Sequence, residues 1–333
     1  MLPSRTRRSL QRIKPVVTSF LIQQLVNALT IGAIYALIAL GYTMVYGVLR
    51  LINFAHSEMF MVGGHVAFFL FAASASLSGS ALGVLVTLGV FAATFVVVGL
   101  LGVGIEEAAY RPLRRASRLA PMLSALGVAI VLQNAVMLFV SRRPLPFPAF
   151  LPPISLSVAG AIVTLDQIFI VVFAVALMVT LAWFVNGTTL GVKIRAVSEN
   201  PRTAQLLGID VNTPIRLIFF IGPGLGALAG ILYASYYGIV VFSMGFVVGL
   251  KAFIAAILGG IGSISGAMLG GFVLGVLETF GAGLLPKLTN GVIGSEYRDI
   301  FAFSVLVLVL IFRPAGFLGE VVTEEGMVYK RDF

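Results

Sequence analysis

The 333-residue sequence predicts an all-α polytopic membrane protein of about 8–10 transmembrane helices, some of them short or broken. Three observations predict it. Apolar residues make up 59% of the chain and charged residues only 11%, more apolar surface than a soluble domain of this length could cover. Apolar runs of about 20 residues, the length that crosses roughly 30 Å of hydrocarbon, recur along the chain. Lysine and arginine gather in the short segments between those runs.

The net charge of +9 does not point to nucleic acid, because the cations are distributed like topology signals. They cluster at Arg5, Arg7, Arg8, Arg12 and Lys14, then at Arg111, Arg114, Arg115 and Arg118, then at Lys193, Arg195, Arg202 and Arg216. Segments of that kind stay on the cytoplasmic side. Arg142 and Arg143, in a loop expected outside, run mildly against the rule. The chain has no cysteine, which excludes a disulfide framework and a thiolate metal site. Arg7-Arg8 resembles a twin-arginine signal, but the apolar region that follows outruns a signal h-region of about 7–15 residues. Residues 1–15 therefore read as a basic cytoplasmic tail before an uncleaved first span. A permease domain over 16–317 and a second cytoplasmic tail over 318–333 follow.

The expected spans, in order, are 16–40, 57–78, 81–104, 120–140, 165–186, 216–238, 246–285 and 300–313. The 246–285 stretch is long enough for two passes and is interrupted at Gly259, Gly260, Gly262 and Gly266. Sidedness adds a constraint. Basic segments at 1–15 and 106–119 on one face require an even number of crossings between them, and three candidates are one short. Two passes within 16–52 would supply the fourth and put both termini in the cytoplasm, for about ten spans in total.

The segment 31–47, opening Ile31-Gly-Ala-Ile-Tyr-Ala, has a faint echo in 221–238, opening Ile221-Gly-Pro-Gly-Leu-Gly, which two related halves would leave, as would a Gly/Ala bias. Glycine pairs spaced at four, such as Gly226 and Gly230 or Gly262 and Gly266, suit close helix packing in lipid. Gly222-Pro-Gly-Leu-Gly lies in apolar helix and lacks the βαβ setting of a dinucleotide loop. No Gly-x-x-x-x-Gly-Lys-Ser/Thr occurs, so no P-loop ATPase resides in this chain.

Three segments could carry function. In 46–64, Arg50, Asn53, His56 and Glu58 lie between apolar stretches. They form either an irregular break lining a path or gate, or a turn with Asn53 as helix cap. In 249–271, Gly259, Gly260, Gly262 and Ser263 form either a broken helix whose free amides suit a carboxylate or a tight turn between antiparallel helices. Lys251 reads as an interface marker. In 187–215, Ala204, Leu207 and Gly208 fall at helical spacing after Asn200-Pro201, where Asn200 or Glu199 can cap and Gly208 can end a short amphipathic helix. That helix is either a docking piece for a soluble partner or an ordinary connection.

Taken together, Gly41-Tyr-Thr-Met-Val-Tyr-Gly47, Ile52-Asn-Phe-Ala-His56 with Glu58, Ala109-Tyr-Arg-Pro-Leu113, Leu132-Gln-Asn134, Arg195-Ala with Asn200, Leu207-Gly-Ile209, Lys251-Ala-Phe253 and Leu258-Gly-Gly-Ile-Gly-Ser263 resemble the inner-membrane permeases of ABC importers for branched-chain amino acids, of the LivH type. Ser57 stands where that pattern has glycine, and the basic tail is longer than the family's. The resemblance implies a bacterial inner-membrane location, a second LivM-like permease, two ABC ATPase subunits that bind ATP and Mg²⁺, and a periplasmic or lipid-anchored binding protein. No cofactor and no catalytic residue is expected in this chain. The resemblance makes 187–215 the coupling loop, with Arg195, Glu199, Asn200, Ala204, Leu207 and Gly208 toward the ATPase. Asn53, His56, Glu58, Gly259, Gly260, Gly262 and Ser263 are the candidates for path or gate. Leucine, isoleucine and valine are the implied substrates, with urea, short amides or other amino acids as alternatives within the same class. An ion-coupled secondary transporter is the reading of another class, and would need Glu58, Asp166 or Glu278 as its ion site.

Overall fold

The computed structural model describes residues 5–74, 83–114, 116–117, 119–292 and 294–319, with side chains from 18 onward except that of 301. Of the two expected tails, 1–4 and 320–333 lie outside the described residues.

The first helix, α1 (Arg5–Leu49), is continuous through the stretch expected to hold two passes, which corrects that expectation. Gly41 and Gly47 do not break it, because a glycine inside lipid-spanning helix keeps its backbone hydrogen bonds and offers close approach instead. A Cβ at Gly41 would run into the His56 ring. The helix ends where Arg50 turns left-handed, at φ 53°. An irregular stretch then leads back into α2 (Ala55–Ala73), whose first turn is set by the His56 amide donating to the Asn53 carbonyl at 3.1 Å.

Next come α3 (Gly83–Ile105), extended by a π turn at Glu106–Tyr110 and a 3₁₀ turn at Arg111–Leu113, and α4 (Leu119–Phe139). A 25-residue connection from 140 to 164 carries β1 (Leu145–Pro146) and the hairpin β2 (Ser155–Val158) to β3 (Ala161–Thr164). Its turn is Ala159-Gly160, both at positive φ, as a two-residue hairpin loop demands. Thr164 and Gln167 form a capping box that starts α5 (Leu165–Gly187).

Two short helices, α6 (Thr189–Glu199) and α7 (Pro201–Leu206), precede α8 (Asn212–Tyr237), which Gly238 ends at φ 70°. β4 (Ile239–Val240) pairs antiparallel with β1. The chain closes with α9 (Met244–Gly259), α10 (Ile264–Leu288), a 3₁₀ turn at Ser295–Tyr297 and α11 (Arg298–Phe312).

The architecture is all-α, with six described helices long and apolar enough to cross a membrane. α2 carries Glu58 and two histidines, α9 is only 16 residues long and α11 only 15. With these three, nine apolar helices alternate in direction among the described residues. The 246–285 stretch divides into two passes as expected.

α1 and α8 form the buried centre, while α3, α4 and α5 turn Val84, Leu85, Val131, Phe139 and Trp183 outward, the distribution a lipid solvent selects. Small residues allow the central contacts. Gly32 of α1 lies against Phe272 and Gly275 of α10, and Gly226 and Gly230 of α8 receive His56 and Phe60 of α2. The two echoing segments lie on α1 and α8, which run in opposite directions. Tyr35 shares a cavity with Tyr233 and Tyr237, whereas Gly41 faces Gly222.

The two ends of the bundle are distinguished by their contacts. At one end Gln23 of α1 accepts from the Ile162 amide of the hairpin at 2.8 Å. At the other, the Ser198 hydroxyl of α6 donates to the Gly47 carbonyl, and the amides of Phe317 and Leu318 close the end of α9 by donating to Leu258 and Gly259 at 2.8 and 2.9 Å. Because 16–52 makes one crossing and not two, Thr18 and Gly319 stand at opposite ends of the bundle.

Candidate transport pathway and coupling loop

The candidate coupling loop, 187–215, is a pair of capped helices. The Thr188 hydroxyl accepts from the Gly191 amide at 3.1 Å to open α6. Asn200 Oδ1 accepts from the amides of Arg202 and Thr203 at 3.0 and 3.1 Å to open α7, with Pro201 in its first turn. The Gly208 amide donates to the Gln205 carbonyl and the Ile209 amide to that of Ala204, the paired bonds of a Schellman ending, with Gly208 at φ 79°. Asp210 then caps α8. The Thr213 hydroxyl, donating to its Oδ2 at 2.7 Å, and the Asn212 amide hold this carboxyl below the usual range.

The predicted loop residues divide by environment. Glu199, Asn200, Leu207 and Gly208 are exposed and Ala204 is buried beneath them. Leu206 and Leu207 are 84% and 75% exposed on this polar end, an apolar pair that no described residue covers. Sequence reasoning missed Leu206, since it looks like an ordinary apolar position of an amphipathic turn. Arg195 points away from them. Its guanidinium donates to the Val185 carbonyl and reaches Asn186 Oδ1 at 3.5 Å, so it caps the end of α5. Arg114 similarly pairs with buried Glu106 and donates to Asn212 at 3.0 Å, while Arg216 meets Glu107 at 2.7 Å. These cations tie the end of α3 to the start of α8.

The predicted path residues fall into two groups. Asn53, His56 and Glu58 are all buried. The Tyr110 hydroxyl donates to Asn53 Oδ1 at 2.6 Å, joining the break after α1 to the π turn. His56 fills the space between Gly41 of α1 and Gly226 of α8, and both its ring nitrogens lack a partner among the described residues. Glu58 Oε2 is also unpartnered there and lies against Gly245 of α9.

The glycine group makes a tight turn. Gly259 and Gly266 stand so close that a Cβ on either would strike the other's carbonyl. Gly260 and Gly262 take φ of 109° and 98°, conformations open to glycine. The Ser263 hydroxyl accepts from the Gly266 amide at 3.1 Å and so occupies one of the α10 amides that an anion could have used.

Two open cavities, each of about 250 Å³, lie along α1. One, termed inner for its place at the α6 end of the bundle, is lined by Thr43, Gly47, Asn186, Arg195, Ser198 and Gly262, beside the 187–215 loop. The outer one is lined by Tyr35, Tyr233, Tyr237, Lys251, Glu278 and the Arg298-Asp299 pair. Between Tyr35 and Thr43 the α1 side chains are buried, and the ring of Tyr42 packs against His56 and Phe253.

The outer cavity holds an ionic cluster that sequence reasoning did not assemble. Lys251 Nζ donates to Glu278 Oε1 at 2.9 Å and to Asp299 Oδ1 at 2.7 Å. The Tyr35 hydroxyl donates to Glu278 Oε2 at 2.6 Å, and Arg298 lies 3.4 Å from Glu278. Lys251 is therefore a buried ion-pair partner and not an interface marker. The available signal was the presence of ionisable residues inside apolar segments. Of the carboxylates an ion-coupled mechanism would use, Glu278 is engaged here, Asp166 accepts from the Ser235 hydroxyl at 3.3 Å, and Glu58 has an unpartnered oxygen.

Residues 24–310 match the family described as branched-chain amino acid transport system / permease component. The chain is 45% identical over 303 residues to the high-affinity branched-chain amino acid transport system permease protein BraD of Pseudomonas aeruginosa, covering 90% of this chain and 96% of that one. It is 39% identical over 306 residues to the LivH permease proteins of Salmonella typhimurium and of Escherichia coli K12, again covering 90% of this chain and 96% of each. No solved structure matches it. With a match that runs from α1 into α11 and 45% identity over nine-tenths of the chain, the chain belongs to the branched-chain amino acid transport permease family.

Proposed function

We propose that this chain is a membrane-spanning permease subunit of an ATP-driven ABC importer that moves leucine, isoleucine and valine delivered by a separate binding protein. The observation that carries this reading is the 45% identity to BraD over nine-tenths of both chains. The capped helix pair α6–α7, with Leu206 and Leu207 uncovered, supports it, because an amphipathic helix presenting apolar side chains suits a groove on a soluble partner.

In this reading two ABC ATPases bind ATP and Mg²⁺ and perform hydrolysis, and a second LivM-like permease completes the pathway. The chain lies in the bacterial inner membrane with 187–215 and 313–319 facing the cytoplasm. Thr18 then emerges on the external face, in place of the expectation that both termini are cytoplasmic. ATPase closure would act through α6 and α7. The inner cavity borders them, so movement of Ser198 and Arg195 reaches α1 at Gly47 and α5 at Val185. Transport requires the buried α1 segment around Tyr42 and His56 to part, alternating access between the two cavities.

The test is a mild-detergent pull-down of the tagged chain from its host, followed by uptake in proteoliposomes. Recovery of two ATPases and a second permease, with ATP-dependent L-leucine uptake, is the expected result. A chain recovered alone that moves solute without ATP would overturn the reading. Uptake of urea or short amides, with leucine refused, would move the substrate to another branch of the class.

A further inference from the structure

We infer that the outer cavity is a recognition site for the zwitterionic head of an amino acid, with the four charges of Lys251, Glu278, Arg298 and Asp299 as its ligands. The inference rests on the importer reading above and adds to it the residues that would meet the solute inside the membrane.

Its first support is charge balance. Two cations and two anions lie within hydrogen-bonding or ion-pairing reach of one another, so the cluster is neutral as a whole. A zwitterion can enter such a cluster by exchanging partners, its carboxylate toward the cations and its ammonium toward the anions, without leaving a net charge in the bilayer. A simple anion or cation would leave one unit of charge uncompensated inside the bundle, which is costly in a membrane.

The second support is graded access. Lys251 and Glu278 are 7% and 2% exposed at the cavity floor, whereas Arg298 and Asp299 are 41% and 36% exposed at its rim. Arg298 is the loosest member, 3.4 Å from Glu278 and 3.6 Å from Asp299, and is the cation placed to exchange partners, while Asp299 is held by Lys251 at 2.7 Å. The floor pair is fixed further by the Tyr35 hydroxyl.

The third support is the wall. Met244, Val247 and Val248 of α9 line the cavity beside the charges and offer an apolar surface to an aliphatic side chain. At about 250 Å³ the space lies just below the 300–1,000 Å³ typical of drug-sized ligands, a fit for a single small amino acid.

Because the chain has no cysteine, Ser243→Cys at the cavity mouth gives one reporter thiol in this subunit. The experiment follows its alkylation by N-ethylmaleimide in the assembled importer in nanodiscs, after L-leucine uptake by the same assembly has been measured in proteoliposomes. L-leucine, 4-methylpentanoate (no ammonium) and isoamylamine (no carboxylate) are compared. At twice its dissociation constant, L-leucine should slow labelling about threefold, and neither analogue at equal concentration should. Glu278→Gln should abolish the protection. Should that variant fail to assemble, Asp299→Asn at the exposed rim decides, with protection at least several-fold weaker expected. Equal protection by all three compounds, undiminished protection in the variant that assembles, or none in an importer that takes up L-leucine would overturn the inference. Absence of uptake in the unmodified assembly would instead remove the importer reading itself.

Discussion

The Tyr42 ring meets the His56 ring edge-on, with centroids 4.6 Å apart, on the stretch of α1 between the outer and inner cavities. His56 reaches that position because residue 41 is glycine, and a Cβ there would occupy the space of its imidazole. The contact is therefore a fitted packing of three helices, α1, α2 and α8, which the proposed alternation between the two cavities would have to loosen.

Gly41→Ala should destabilise the detergent-solubilised protein by about 1–3 kcal/mol, the usual cost of forcing one carbon into a packed core. Thermal unfolding followed by fluorescence-detected size exclusion measures it. In a His56→Ala background the same change should lose most of its effect, since the ring it strikes is gone. An equal cost in both backgrounds would place the clash elsewhere, with the Gly222 carbonyl as the remaining neighbour, 3.0 Å from the added carbon.

Lys251→Met should cost more. It strips Glu278 of its 2.9 Å partner inside the bundle and leaves only the half-exposed Arg298 at 3.4 Å as its cation, so the cost approaches the about 3–5 kcal/mol of an ion pair broken from one side. The double variant Lys251→Met/Glu278→Gln, which removes both charges of the floor pair, should recover a large part of that stability in the same unfolding assay while remaining defective in L-leucine uptake. A double variant no more stable than the single one would show that the pair's attraction is not the main term.

These two sites mark what could be read in the sequence and what could not. The α9–α10 turn was legible, because four glycines in eight residues and a following serine cap have few structural readings. The short helix α7 was legible too, in Asn200-Pro201 and Gly208, whereas α6 (Thr189–Glu199) before it was not expected as a helix of its own. The unbroken course of α1 was not. The basic segments at 1–15 and 106–119 asked for an even number of crossings and so for a second pass within 16–52, and nothing in the sequence shows that one helix runs on through Gly41 and Gly47 to Leu49. Nor was the outer ionic cluster, because Lys251, Glu278 and Asp299 lie on three different helices and their pairing depends on how those helices are staggered. Arg195 had the composition of a docking residue, and only its bond to the Val185 carbonyl reveals a cap.

Leu206→Asp and Leu207→Asp test coupling more cleanly than changes at Ala204, which is buried. Both leucines are exposed, so each substitution should alter stability by no more than about 0.5 kcal/mol. Together they should leave membrane insertion unchanged, reduce co-purification of the ATPases and abolish most ATP-dependent uptake. Gly208→Trp should act similarly by a different route, since its φ of 79° is strained for any residue with a Cβ. Full uptake by the Leu206/Leu207 double variant would remove α7 from the ATPase contact.

The course of α1 makes a prediction about sidedness that the cysteine-free chain makes easy to check. Gln23 holds the β2–β3 hairpin at one end of the bundle and Gly47 accepts from Ser198 at the other, so a single crossing separates Thr18 from the coupling loop. A membrane-impermeant maleimide applied to spheroplasts should label Thr18→Cys and Ser157→Cys, and should reach Leu207→Cys only after the membrane is opened. Arg142 and Arg143 should follow the hairpin, because β1 beside them pairs with β4 at the same end. If Thr18→Cys were instead labelled together with Leu207→Cys, the basic segment before α1 would share the cytoplasmic face with the other basic loops. An even number of crossings would then have to lie between Thr18 and Arg114, which the unbroken helix from Arg5 to Leu49 does not provide.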